Sequence, residues 1–340
     1  MLQRVLKQGL DSLSIIGLAK NVGKTTVLNG LVAEAHEKEI SVGLVSIGVD
    51  GEERDVWSGR LKPPVYVPAG SFVATAGPLL DLEGYSWEVI AETGVQSAVG
   101  KVLIARALHS TNVKLAGITA AEDAAKIDHQ FRALGAQLTI VDGAYDRKAA
   151  ANPFITKGSI CVVGGSMAPT LDQVVEKTAE LVHLFTLPEC TDPTLQLAAE
   201  QAINQRQLFA VHEGKITPLP FSSLFVPEKM LRMELERKPW KGIAIPGALT
   251  NRSLSLLTRI GRPLQLVLNN PTCNFVSLAV LRRFFQIGGS ISYLRRSRLL
   301  GIAINPVSPS GFSFDPQEMR ERITSVCSPL PVFDIVRDPV

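Results

Sequence analysis

Gly17, Gly23, Lys24 and Thr25 are the residues of this chain whose types and spacing point most directly to chemistry. They lie in the run Ile15-Ile16-Gly17-Leu18-Ala19-Lys20-Asn21-Val22-Gly23-Lys24-Thr25-Thr26, where an apolar strand enters a glycine-bounded turn ending in Gly-Lys-Thr. Such a turn aims consecutive backbone N–H groups at a polyphosphate, with the Lys24 ammonium neutralising the β and γ oxygens and the Thr25 hydroxyl placed to hold Mg²⁺. On this reading Gly17, Lys20, Asn21, Val22, Gly23, Lys24, Thr25 and Thr26 contact the nucleotide. The following segment, residues 25–39, is predicted to be a helix whose positive N-terminus faces the same anion. The spacing departs from the strict pattern: Leu18, separated from the Gly-Lys pair by four residues, stands where a glycine is expected, so the turn holds one extra residue.

A phosphate site of this type needs an acid at the end of a neighbouring strand, to hold Mg²⁺ directly or through water. Asp142, in Leu138-Thr139-Ile140-Val141-Asp142-Gly143-Ala144, fits that place, and Asp50, just past the strand at residues 42–47, is a second candidate. The expected catalytic set is therefore Lys24, Asp50 and Asp142, and the expected metal set Thr25, Asp50 and Asp142. Lys62 and Arg147 are further cations for transition-state charge, and Lys20 is placed to reach a facing nucleotide if the chain forms a homodimer. No Asn-Lys-x-Asp tetrapeptide for guanine is present, which favours ATP over GTP. The five histidines are isolated and make no catalytic triad or metal cluster by spacing.

Positioning these residues calls for a layered α/β scaffold. Strand-like runs at residues 13–16, 42–47, 113–118, 138–141 and 160–163 alternate with helix-like stretches at 25–39, 121–134 and 170–184. That alternation predicts a mostly parallel sheet covered on both faces. Thr119-Ala120-Ala121-Glu122 has the form of a capping box. Residues 60–112, rich in proline, glycine and β-branched side chains, read as a β-rich insertion of hairpins. A composition shift near Cys190 divides the chain into a nucleotide-binding domain, 1–190, and a second α/β domain, 191–340. In the second part, short strands ending at Thr250-Asn251, Asn269-Asn270 and Asn305 are expected either to line one crevice or to serve as caps and turns.

A length of 340 residues suits two domains. The net charge of +3 is small, and its basic residues are scattered apart from Arg282-Arg283 and the group Arg295, Arg296 and Arg298, which argues against nucleic acid as a partner. The four cysteines are far apart and read as reduced thiols of a cytoplasmic protein. No uncharged apolar run approaches the roughly 20 residues of a membrane helix, and residues 1–8 lead into no long apolar segment, so neither membrane insertion nor secretion is expected.

Gly-x5-Gly-Lys-Thr after a strand, an aspartate after the second strand and Asp142-Gly143-Ala144 after a later one together resemble the signal-recognition, MinD and dethiobiotin-synthetase class of P-loop proteins. Lys62-Pro63 resembles a Lys-Pro pair of the synthetase. A fuller resemblance, spanning most of the chain, is to the reactivase ATPases associated with cobalamin-dependent lysine and ornithine aminomutases. Its segments are residues 17–26, Tyr66-Val67-Pro68-Ala69-Gly70, Thr93-Gly94-Val95, residues 140–147 and Ile304-Asn305-Pro306. The resemblance implies an ATP-driven partner of a mutase, or of a second reactivase subunit, that helps release damaged cobalamin. Two alternatives stay open at this point: a synthetase that uses ATP to activate a small carboxylic acid, and a nucleotide-bound scaffold without turnover.

Overall fold

The computed structural model describes residues 1–47, 64–80, 84–97, 99–116, 118–143, 156–334 and 337–338. In chain order the elements are α1 (Leu2–Lys7), β1 (Ser12–Gly17), α2 (Lys24–Glu37), β2 (Val42–Ile47), β3 (Val65–Val67), β4 (Phe72–Ala76), β5 (Trp87–Gln96), β6 (Lys101–Ala107), β7 (Thr111–Val113), α3 (Ala121–Ala133), β8 (Leu138–Gly143), β9 (Gly158–Gly164) and α4 (Leu171–Thr186). There follow α5 (Pro193–Gln205), β10 (Phe209–His212), β11 (Lys215–Pro218), α6 (Glu228–Glu236), β12 (Gly242–Ile245), β13 (Leu249–Thr250), α7 (Asn251–Ile260), β14 (Gln265–Leu268), β15 (Asn274–Phe275), α8 (Leu278–Gln286), β16 (Ser290–Tyr293), β17 (Leu299–Asn305), α9 (Pro316–Cys327) and β18 (Val332–Asp334).

Two compact units result: Met1–Ala179 with Arg298–Val340, and Glu180–Ser297. This differs from a division into 1–190 and 191–340, because β17 and β18 return to the first sheet. That sheet has nine strands in the order β18-β17-β9-β1-β8-β2-β4-β6-β5. Every pairing from β18 to β4 is parallel, and β6 and β5 add an antiparallel edge. The central strands are buried along almost their whole length, as in β1, Ser12 and Ser14 included, and in the mostly apolar β2. Strands buried on both sides in this way require cover on both faces. Helix α3 supplies part of it: Phe131 is fully buried and lies so close to β2 that a Cβ on Gly43 would come within 2.4 Å of its ring.

The insertion is β-rich, as expected for residues 60–112, yet its strands do not form a separate module. β4, β6 and β5 extend the main sheet, while β3 and β7 form their own antiparallel pair. The strand expected at 113–118 reduces to β7 and a single bridge between Ile118 and Ile47. Helix α3 begins after Ala120, whose side chain caps nothing, so the capping box expected at Thr119 does not form.

Asp11 ties the start of β1 to its surroundings. It accepts hydrogen bonds from Lys157 Nζ at 2.6 Å and from the Arg132 guanidinium. Burial raises its pKa, but the Lys157 hydrogen bond and the charges of Arg132 and Lys157 outweigh this and hold the carboxyl below its ordinary value. A depressed carboxylate pKa stabilises the fold above the unfolded value and loses that contribution as pH falls through the folded one. Asp11→Asn is therefore expected to lower stability by about 1 kcal/mol at neutral pH. In urea unfolding followed from neutral to acid pH, the gap between the variant and the parent chain should close below the carboxylate range.

The second unit is built on a five-stranded sheet, β11-β10-β12-β14-β16, with β12, β14 and β16 parallel. β10 and β11 form a hairpin whose two turn residues, Glu213 and Gly214, both have positive φ, the conformation that matches the twist of a tight hairpin. Helix α5 starts at Pro193 and is capped by Asp192, which accepts from the Thr194 and Leu195 amides at 2.9 and 3.1 Å. Leu208, Ile243, Leu266, Phe284 and Tyr293 are fully or almost fully buried in its main core. Among the described residues, no helix is long and apolar enough to cross a membrane.

Candidate functional site

The parallel pairing brings the ends of β2, β8, β1, β9, β17 and β18 to one edge of the first sheet. Gly17 closes β1, and α2 begins at Lys24 after a turn in which Asn21 and Gly23 have φ of 56° and 106°. Left-handed backbone costs little at glycine and is tolerated by asparagine. Two such residues carry the extra residue of the turn. The N-cap of α2 is Gly23, which has no side chain to cap the helix, and the first turn of the helix contains no acid. The amides of that turn and the helix dipole thus form a positive face at the sheet edge.

Lys24 folds back over the end of β1. A Cβ on Gly17 would meet Lys24 Cγ and Cδ at 3.1 Å and Val22 Cγ1 at 2.7 Å. A side chain at position 17 would press on the buried Val22 and crowd the lysine stem. Val22 is buried and so fixes the turn to the core, whereas Lys20, Asn21 and Thr26 are exposed and Thr25 is half-buried.

Asp142 lies on β8, next to β1 and in register with Ile15 on one side and Ser46 of β2 on the other. It is half-buried near the end of its strand, on the strand adjacent to the turn. A hydroxyl and a carboxylate are hard oxygen donors of the kind Mg²⁺ prefers, and that ion is commonly held by one or two protein oxygens together with phosphate. Thr25 and Asp142 fit this donor set. Among the described residues, no group of three or more histidine, cysteine, aspartate or glutamate side chains is arranged to hold a metal. Asp50, Lys62 and Arg147 lie outside the described residues.

One contact is not evident from the spacing of the motif. Asn305, the last residue of β17, donates from Nδ2 to the Val22 carbonyl at 3.1 Å, while its Oδ1 accepts from the Val307 amide at 3.2 Å. The same side chain stands 3.1 Å from where a Cβ on Gly23 would be. Asn305 thus braces the turn from the opposite side to Asp142. Of the positions Thr250-Asn251, Asn269-Asn270 and Asn305, expected either to line one crevice or to serve as caps and turns, Asn305 belongs to the first unit and the others to the second. Thr250 caps α7, Asn251 accepts from the Ser277 amide at 2.8 Å, and Asn270 accepts from the Thr272 amide at 2.9 Å. These residues are local caps and turns, the other role their sequence allows.

No family model, curated protein or solved structure matches this chain. The functional reading therefore rests on the residues and their arrangement.

Beside the turn lies a cleft whose empty space, mouth included, is about 650 Å³. It runs from Gly23 and Thr26 along the end of β17 to Asp334, the last residue of β18, and Arg337 beyond it. Asp334 and Arg337 are missed by motif reading, since no local pattern marks them. They become neighbours of the turn only because β18 pairs with β17, with Asp334 in register with Ile304.

Proposed function

We propose that this chain is a P-loop ATPase whose turnover is coupled to a protein partner, a cobalamin-dependent aminomutase being the partner that the family resemblance implies. The observation that carries the nucleotide reading is the Lys24 stem folded over Gly17 at the start of α2, where the N-cap is a glycine in left-handed conformation. It would bring a positive charge, a helix N-terminus and a glycine turn to bear on one anion.

In this mechanism the amides of the turn and the Lys24 ammonium bind the β and γ phosphates. Thr25 and Asp142 would hold Mg²⁺, which when bound neutralises charge shared by the β and γ oxygens. Asp142, and Asp50 if it reaches the same edge, would orient the attacking water. The Asn305–Val22 hydrogen bond keeps the turn in shape for the phosphates. A turn braced by a strand end can pass a change in phosphate occupancy to the surface that a partner reads.

The test is phosphate release from Mg-ATP and Mg-GTP by the purified chain, with binding measured on the same samples. A second experiment pairs the chain with an inactivated aminomutase. ATP-dependent recovery of the mutase is expected, and no recovery by a purified, nucleotide-binding pair would remove the reactivase reading.

A further inference from the structure

We infer that the cleft between the turn and the segment after β17 is the compartment for the nucleoside of the bound nucleotide, with Arg337 covering it at the rim. This inference rests on the phosphate reading of the turn.

The cleft begins at Gly23 and Thr26, so a ligand with its phosphates on the first turn of α2 can extend directly into it. Asp142 lies the other way along the sheet, across β1, so the phosphate chain would run from Asp142 at its terminal end towards the cleft at its nucleoside end. The cleft floor is apolar, with Val162 and Ile304 both buried, and Val307 forms part of its wall. The lining is mostly apolar with a few polar groups, the composition typical of small-molecule sites. A heterocyclic base with its ribose suits such a lining.

The polar groups are arranged as supports. Asn305 has its amide engaged by Val22 and Val307 and therefore shapes the cleft. Asp334 is 3% exposed and accepts from the Arg337 amide at 3.3 Å, with the Arg337 Nε at 3.9 Å from its other oxygen. That holds the Arg337 backbone while leaving most of the guanidinium at the surface, where its side chain is 62% exposed. A guanidinium plane held at the rim of a slot is suited to stack on a base. Arg337 is thus assigned as an affinity residue for the nucleoside, distinct from the phosphate ligands.

The test uses the full-length chain with 8-azido-ATP, a photoreactive analogue that labels what touches the base. Trypsin releases residues 299–320 and 323–337 as separate peptides, cut at Arg298, Arg320, Arg322 and Arg337. Label in either peptide, suppressed by excess ATP, is expected, and ATP-protected label confined to other peptides would overturn the inference. In parallel, Val307→Trp, at a position 58% exposed and so tolerant of a larger side chain, should fill the cleft and weaken Mg-ATP binding at least about tenfold. Arg337→Ala should weaken it about threefold to tenfold.

If both variants bind ATP as the parent does while Lys24→Ala loses it, the nucleoside lies elsewhere and the phosphate reading survives. If the parent chain binds no nucleotide, the phosphate reading fails and this inference falls with it. Thermal melts of each variant separate lost binding from lost folding, and Arg337→Ala, altered only at an exposed side chain, keeps the test alive if Val307→Trp does not fold.

Discussion

Lys24→Ala is expected to reduce phosphate release from Mg-ATP by about 10²- to 10³-fold, the loss usual when one preorganised charge or donor is removed from a developing anion. The Lys24 side chain is half-buried and lies across Gly17 at the sheet edge, so the alanine variant should keep a melting temperature close to that of the parent. A loss of turnover without a loss of folding would place the effect on the phosphates. Lys24→Arg makes a useful companion. It keeps the charge, but its planar head cannot occupy the space of a compact ammonium, so partial activity at best is expected. Full turnover by Lys24→Ala would end the mechanism proposed above. If the parent chain binds ATP but turns it over slowly, the chain is a switch awaiting its partner, and the mutase experiment decides. Brisk turnover by the parent alone, lost in Lys24→Ala, would mark a self-sufficient ATPase and weaken the partner-coupled reading.

Most of the elements around the site were legible in the sequence because their signals are local. The strand at 42–47 and the helices at 25–39, 121–134 and 170–184 correspond to β2, α2, α3 and α4 with small shifts at the ends. The adjacency of Asp142 to the turn was also foreseeable, since a parallel sheet collects strand ends at one edge. The place of Asn305 was not. Residues 299–305 form a short buried strand like those at 242–245 and 265–268, and nothing in an apolar strand states which sheet it joins. β17 pairs with β9 rather than continuing the second sheet, and through that pairing alone Asn305 meets Val22. The same long-range choice hides Asp334 and Arg337, which follow Asn305 by some thirty residues in sequence and share the cleft with it in space.

The β9–β17 pairing also sets the second large effect. Asn305 is in register with Gly164, and a Cβ on Gly164 would stand 2.2 Å from the Asn305 carbonyl oxygen and 3.1 Å from its Cβ. Backbone cannot rotate out of the way as a flexible side chain can. Gly164→Ala must therefore push β17 from β9, and overpacking of this kind in a filled interior costs about 1–3 kcal/mol, occasionally more. The next residue is equally confined: Gly165 donates to the Asn305 carbonyl at 2.9 Å, and a Cβ on it would approach the Pro306 carbonyl to 2.8 Å.

Displacement of β17 should loosen the turn before α2 as well, because Asn305 Nδ2 is bonded to Val22. Gly164→Ala is thus expected to lower the melting temperature by several degrees and to weaken ATP binding, although residue 164 lies on neither the turn nor the helix that would hold the phosphates. Asn305→Ala separates the two effects. It removes the hydrogen bonds to the Val22 carbonyl and from the Val307 amide, each worth about 0.5–1.5 kcal/mol, without forcing the strands apart, so ATP affinity should fall up to about tenfold with a smaller loss of melting temperature than in Gly164→Ala. If Asn305→Ala binds ATP as the parent does while Gly164→Ala does not, the turn holds its shape without the Asn305 brace, and the loss in Gly164→Ala comes from the displaced strand alone. If Gly164→Ala melts and binds as the parent does, β17 does not pack against β9 at this register.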